Sequence, residues 1–168
     1  MSKERNRVRN LSYNMRHRKY GSELVMFDFD AVWFSVNDEP VAYLETKYGG
    51  TDIDLNDREF RCLRNAVLPG KPFFCLWYYT YTNGIRFDAM DNRTKDCDYA
   101  QYYIVGANEE GKKFFPTVTA LTEFQMVEFE YKLRGYTPAF AAGMAKGFAT
   151  TPTYDHPPPK VLAAPEKP

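Results

Sequence analysis

Residues 27–47 read FDFDAVWFSVNDEPVAYLETK, and the way this stretch folds decides how the rest of the chain is arranged. As a strand, 27–34 has a period of two that sends Asp28, Asp30, Val32 and Phe34 to one face and Phe27, Phe29, Ala31 and Trp33 to the other. The run SVNDEP at 35–40 is rich in turn formers and returns the chain. In 41–47 the same alternation puts Val41, Tyr43, Glu45 and Lys47 on one face. Antiparallel pairing then sets Glu45 and Lys47 across from Asp28 and Asp30, so three carboxylates and one ammonium share a patch.

Carboxylates within about 4–6 Å of one another repel and raise each other's pKa. A divalent cation relieves that conflict, and hard oxygen donors with no Cys or His beside them favour Mg²⁺ or Mn²⁺ over Zn²⁺. Lys47, two residues beyond Glu45 on the same face, can orient a water or stabilise charge on an attacked phosphate.

Asp30, a hairpin-sized gap and then Glu45-Thr46-Lys47 resemble the signature of the PD-(D/E)XK nuclease superfamily, in which an Asp and the acidic residue of an E-x-K strand hold the metal. Phe29 stands where that family often has a proline. The later order is also similar to small phage and bacterial nuclease-like members: a helix after the E-x-K strand, an aromatic strand from Pro72-Phe73-Phe74, and a late helix ending Leu133-Arg134-Gly135. The resemblance implies an α/β (α+β), restriction-endonuclease-like core, with a mixed, mostly antiparallel sheet flanked by helices, and an Mg²⁺-dependent endonuclease acting on DNA. It also implies that Asp30 and Glu45, with the Thr46 carbonyl, hold the metal, that Asp28 is a further ligand, and that Lys47 positions the attacking water. Of the two aspartates, Asp30 is preferred as the principal ligand, because the apolar strand continues directly after it.

With 168 residues, 44% of them hydrophobic, the chain is sized for one domain with a substantial core. Its formal net charge is zero, so attraction to nucleic acid has to be local. Residues 1–20 concentrate positive charge, including Arg16, Arg18 and Lys19, against Glu4 alone; this is a basic arm able to contact phosphates, or a solvated terminus. The expected organisation is the arm at 1–20, a nuclease-like domain at 21–138 and a flexible Pro-rich tail at 139–168, the last a candidate peptide for a partner. Three cysteines without C-x-x-C spacing and two histidines argue against a zinc site or a disulfide framework. With no long apolar run and no h-region at the start, the expectation is a soluble, unexported protein in a reducing cytoplasm, the host's if the chain is viral.

Asn56-Asp57-Arg58-Glu59 has the form of a capping box, and Phe60, Leu63 and Val67 supply the stripe of a helix that ends before Pro69-Gly70. Arg58, Arg61 and Arg64 recur every three residues on another face; they can meet a phosphate backbone or keep the helix solvated. PFFCLWYYTY at 72–81 suits a central strand covered on both faces, and Asn83-Gly84 reads as a type I′ hairpin turn into Ile85-Arg86-Phe87. Tyr78, Tyr79 and Tyr81 can pack, or stack bases if they lie at an exposed end. Residues 101–107 and 112–116 read as a further hairpin. Thr122 with Gln125 forms a capping box for a helix over 122–134, supported by Glu128–Lys132 and Glu130–Arg134 spacing and stopped by Gly135.

The alternative from another class is a non-catalytic module that binds nucleic acid or protein with its basic arm and tyrosines; a third reading is a structural or inhibitory viral protein. A homodimer is open as well, with the strand at 72–81 or the helix at 122–134 as pairing surface.

Overall fold

The computed structural model describes residues 29–48, 51–82, 85–87, 99–148, 150 and 157–162. The decisive stretch forms the antiparallel pair β1 (Ala31–Phe34) and β2 (Pro40–Tyr48). Their connection is set by Ser35, whose hydroxyl accepts from the Asn37 and Glu39 amides, and by Asp38, which takes a positive φ of 62°. Asp tolerates that conformation better than most residues, as turn chemistry requires.

Four consecutive residues of β2, Ala42 to Glu45, are buried, as expected for a strand covered on both faces. β2 pairs in parallel with β3 (Phe73–Thr82), Glu45 lying beside Cys75 and Lys47 beside Trp77. A parallel neighbour needs a crossover, and helix α1 (Arg58–Ala66) supplies it. The helix starts where Asp57 accepts the Phe60 amide at 2.9 Å, so the N-cap is one residue inside the predicted box.

β3 pairs antiparallel with β4 (Ile85–Phe87) and with β5 (Tyr99–Gly106), which pairs with β6 (Thr119–Thr122). The result is an open, mostly antiparallel six-stranded sheet in the order β1-β2-β3-β5-β6, with β4 on β3. Because β3 is flanked by β2 and β5, it offers no edge for pairing protomers, which corrects that expectation. The predicted hairpin at 101–116 is corrected too. After β5 the Asn108 side chain accepts the Phe73 and Gly111 amides and starts a short helix, α2 (Glu109–Lys112), and the strand that returns is 119–122. Gly106 permits this crossing, since a Cβ there would lie 2.2 Å from the Lys112 nitrogen.

Helix α3 (Glu123–Leu133) begins at Thr122 with both hydrogen bonds of the capping box, ends at Arg134, and is followed by Gly135 at φ 94°. Its expected ion pairs form, Lys132–Glu128 at 2.9 Å and Arg134–Glu130 at 3.5 Å. The two faces of the sheet carry separate cores. Phe60 and Leu63 of α1 close over Tyr43, Phe73, Trp77 and Tyr79, while Met126, Phe129 and Leu133 of α3 close over Leu44, Phe74, Leu76 and Ile104. Each fully buried aromatic or leucine adds roughly 1.5–3 kcal/mol. Tyr79 and Tyr81 are 2% exposed and belong to the α1-side core, so neither is placed to stack a base.

Part of the expected flexible tail is structured. Pro138–Ala145 forms α4, capped by Thr137, with Ala141 and Ala145 buried. Residues 157–162 run beside Ile53, whose amide donates to Lys160 O and whose carbonyl accepts from Leu162. Composition alone concealed this, because the apolar groups used, Ala141, Ala145, Pro159 and Val161, are few and small. No helix among the described residues is long and apolar enough to cross a membrane.

Candidate active site

Glu45 and Lys47 occupy alternate positions of β2, on the face covered by α1. Glu45 is 6% exposed, and its Oε1 accepts from Lys47 Nζ at 2.7 Å. The same Nζ lies 3.4 Å from Oε1 of Glu59, in the first turn of α1, and 5.7 Å from the centre of the Phe60 ring. The crossover helix thus delivers its apolar Phe60 to the core and its acidic neighbour to the lysine.

Asp30 sits immediately before β1, where the chain bends. Its Oδ2 accepts from both the Thr46 amide at 2.8 Å and the Thr46 hydroxyl at 2.6 Å, while its own amide donates to Leu44 O at 3.1 Å. The carboxylate is thereby fixed at the end of the β1–β2 ladder next to Glu45. The bend has a second effect. Phe29 packs with Tyr43 at 4.7 Å and Phe73 at 5.4 Å, on the α1 side with Val32, and not with Ala31 and Trp33 as a strict alternation from 27 predicts.

Electrostatics follow from this placement. Burial pushes the Glu45 carboxyl up from 4.5 to about 7; the charges of Asp30 and Glu59 add to that, and the hydrogen bond and charge of Lys47 oppose it. For Lys47 burial works against the charge, but its bond to Glu45 and the two carboxylates outweigh it, so its pKa is raised. Burial also raises the thiol of Cys75, which lies beside Glu45 in β3. A neutral buried thiol is a poor ligand, and the donors left are oxygens.

Of the residues predicted for the site, the structure bonds Asp30 to Thr46 and Glu45 to Lys47, and the Asp30 charge is near enough to act on Glu45. Asp28 lies outside the described residues, as do Arg16, Arg18 and Lys19. Arg58 and Arg61 are exposed on α1, whereas Arg64 turns inward and donates to the Leu55 carbonyl. Glu59 was not foreseen as a site residue; the capping signal at 56–59 marked its helix position, but only the parallel β2–α1–β3 crossover places it against Lys47.

Among the described residues, no three of His, Cys, Asp or Glu converge as a ready metal cage. The donor chemistry still suits a hard cation, since Mg²⁺ typically uses one or two carboxylates and keeps waters or phosphate oxygens for its other positions. The contacts described above use one oxygen of each carboxylate, Oδ2 of Asp30 and Oε1 of Glu45. Compared with protein-family models, curated proteins and solved structures, the chain matches none.

Proposed function

We propose that this chain is a metal-dependent nuclease of the PD-(D/E)XK type that hydrolyses DNA phosphodiester bonds. The observation that carries the reading is the buried Glu45, bonded to Lys47 and raised to about 7 by burial and by the charges of Asp30 and Glu59, at the end of the β hairpin where Thr46 anchors Asp30. Acids shifted by burial beside a specific charge partner cluster at functional sites, and that clustering supports the reading.

Asp30 and Glu45, with the Thr46 carbonyl, would hold Mg²⁺ or Mn²⁺, which would supply a water of lowered pKa and neutralise charge on the scissile phosphate. Thr46 fixes the Asp30 carboxylate through two hydrogen bonds, so its direction is set before any ligand arrives. With its pKa near neutrality, Glu45 gives up its proton readily when positive charge is added beside it. Lys47 orients the attacking water and faces the charge that develops on the phosphate. Glu59 gives the ammonium a second anchor, so Lys47 stays at the site when Glu45 is engaged elsewhere. The exposed Arg58 and Arg61, on the helix that carries Glu59, suit a flanking phosphate backbone.

One observation favours the second reading, a non-catalytic binding module on the same sheet. Lys47 Nζ already lies 2.7 Å from Glu45 Oε1 and 3.4 Å from Glu59 Oε1, so the lysine is engaged within the protein. Incubating the full chain with plasmid, linear duplex, single strand and four-way junction, with and without Mn²⁺, separates the two. Strand cleavage that requires the cation supports the nuclease. A gel shift with steep salt dependence and intact DNA supports the module.

A further inference from the structure

The α1 face holds a second feature that the carboxylate site does not use, a cavity of about 470 Å³ beside the Val105–Ala107 end of β5. Leu55, Val105, Val118 and Val161 give it an aliphatic stretch of wall, Asn56 and Thr117 line it as well, and its two charges are the cations Arg64 and Lys112. None of the described lining residues is acidic or aromatic. Arg64 Nη2 donates to the Leu55 carbonyl, but its Nε is buried and has no acceptor among the described residues. A buried donor left without an acceptor is destabilising, and an anion held beside Arg64 would supply the acceptor. Lys112 pairs with Glu109 at 2.8 Å, but the pair lies at the surface, with the side chains 45% and 86% exposed. Such a surface pair is weak, and the lysine is available to a second anion.

We propose that this cavity binds an organic anion with an aliphatic body, its carboxylate or phosphate head on Arg64 and Lys112 and its body against Leu55, Val105, Val118 and Val161. The volume lies within the roughly 300–1,000 Å³ of small-molecule sites. The walls offer no ring on which a nucleobase stacks, which turns the choice from nucleotides to aliphatic anions. Val161 belongs to the segment hydrogen-bonded to Ile53, so an occupant also bridges the C-terminal segment to the sheet. The proposal stands apart from the nuclease reading, because no residue is shared with the carboxylate site.

The test is calorimetric titration of the full chain with octanoate and with octyl phosphate, alongside octanol, which has the tail without the charge, and inorganic phosphate, which has the charge without the tail. The expected result is saturable one-to-one binding of octanoate, octyl phosphate or both, at least about tenfold weaker in Arg64→Gln and in Lys112→Gln. Octanol and inorganic phosphate are expected to bind more weakly than either amphiphile. The proposal is overturned if no amphiphile binds, if octanol binds as tightly, if phosphate alone binds as tightly, or if neither substitution weakens binding. Because Arg64 also holds Leu55, melting temperatures are measured for both variants. Lys112, whose side chain reaches the surface, decides the matter if Arg64→Gln does not fold.

Discussion

Replacing Glu45 with Gln removes a carboxyl whose charge the fold opposes. Burial, reinforced by Asp30 and Glu59 and resisted by Lys47, holds its pKa at about 7 against an ordinary 4.5. Between those values the native chain keeps a proton that the unfolded chain has released. The native state binds more protons there, so stability falls as pH rises from 4.5 to about 7. The full displacement corresponds to about 3 kcal/mol. Glu123 and Glu130, whose pKa values burial also raises, tilt the curve the same way, so only the difference between wild type and Glu45→Gln isolates Glu45. Gln is close in shape, and Lys47 retains Glu59 at 3.4 Å. Urea denaturation of both chains at about pH 5 and about pH 8 makes the comparison. Wild type is expected to lose about 2–3 kcal/mol more than Glu45→Gln across that interval. Parallel losses in the two chains refute the reasoning, because they mean that Glu45 is not held buried among like charges.

Lys47→Ala is expected to lower Mg²⁺-dependent cleavage by about a hundredfold or more with an unchanged circular dichroism spectrum; cleavage at the wild-type rate rejects the assignment. Glu59→Gln removes a charge that raises Glu45, so carbon-detected NMR should find Glu45 titrating at lower pH; an unchanged or higher midpoint contradicts the geometry around Lys47. Thr122→Ala deletes the side chain that accepts the Gln125 amide at 3.1 Å and should cost about 1 kcal/mol in urea denaturation; no measurable loss means the capping box does not set the start of α3.

Much of this architecture could be read from local signals. The turn at 35–40, the alternation over 41–47, the cap of α3 and the apolar run of β3 each act within a few residues and formed where such chemistry places them, while the α1 cap falls one residue further on, at Asp57. What escaped depends on distant partners. Nothing local says that β2 and β3 run parallel, yet that pairing places Glu59 at Lys47. The Asp30–Thr46 hydrogen bonds bend the chain and carry Phe29 to the α1 side, against its period of two. The strand paired with β5 was misplaced because Asn108 caps a helical turn where Asn-Glu-Glu-Gly reads as a hairpin loop. Residues 157–162 join the core through two backbone hydrogen bonds with Ile53, which composition does not encode.

Calorimetric titration of Mn²⁺ into wild type and into the double variant Asp30→Asn/Glu45→Gln goes straight to the claim that these two carboxylates hold one hard cation. A single saturable site in wild type, absent from the double variant while both chains stay folded, is the predicted result. Equal binding by the two chains, or no binding by wild type, contradicts it.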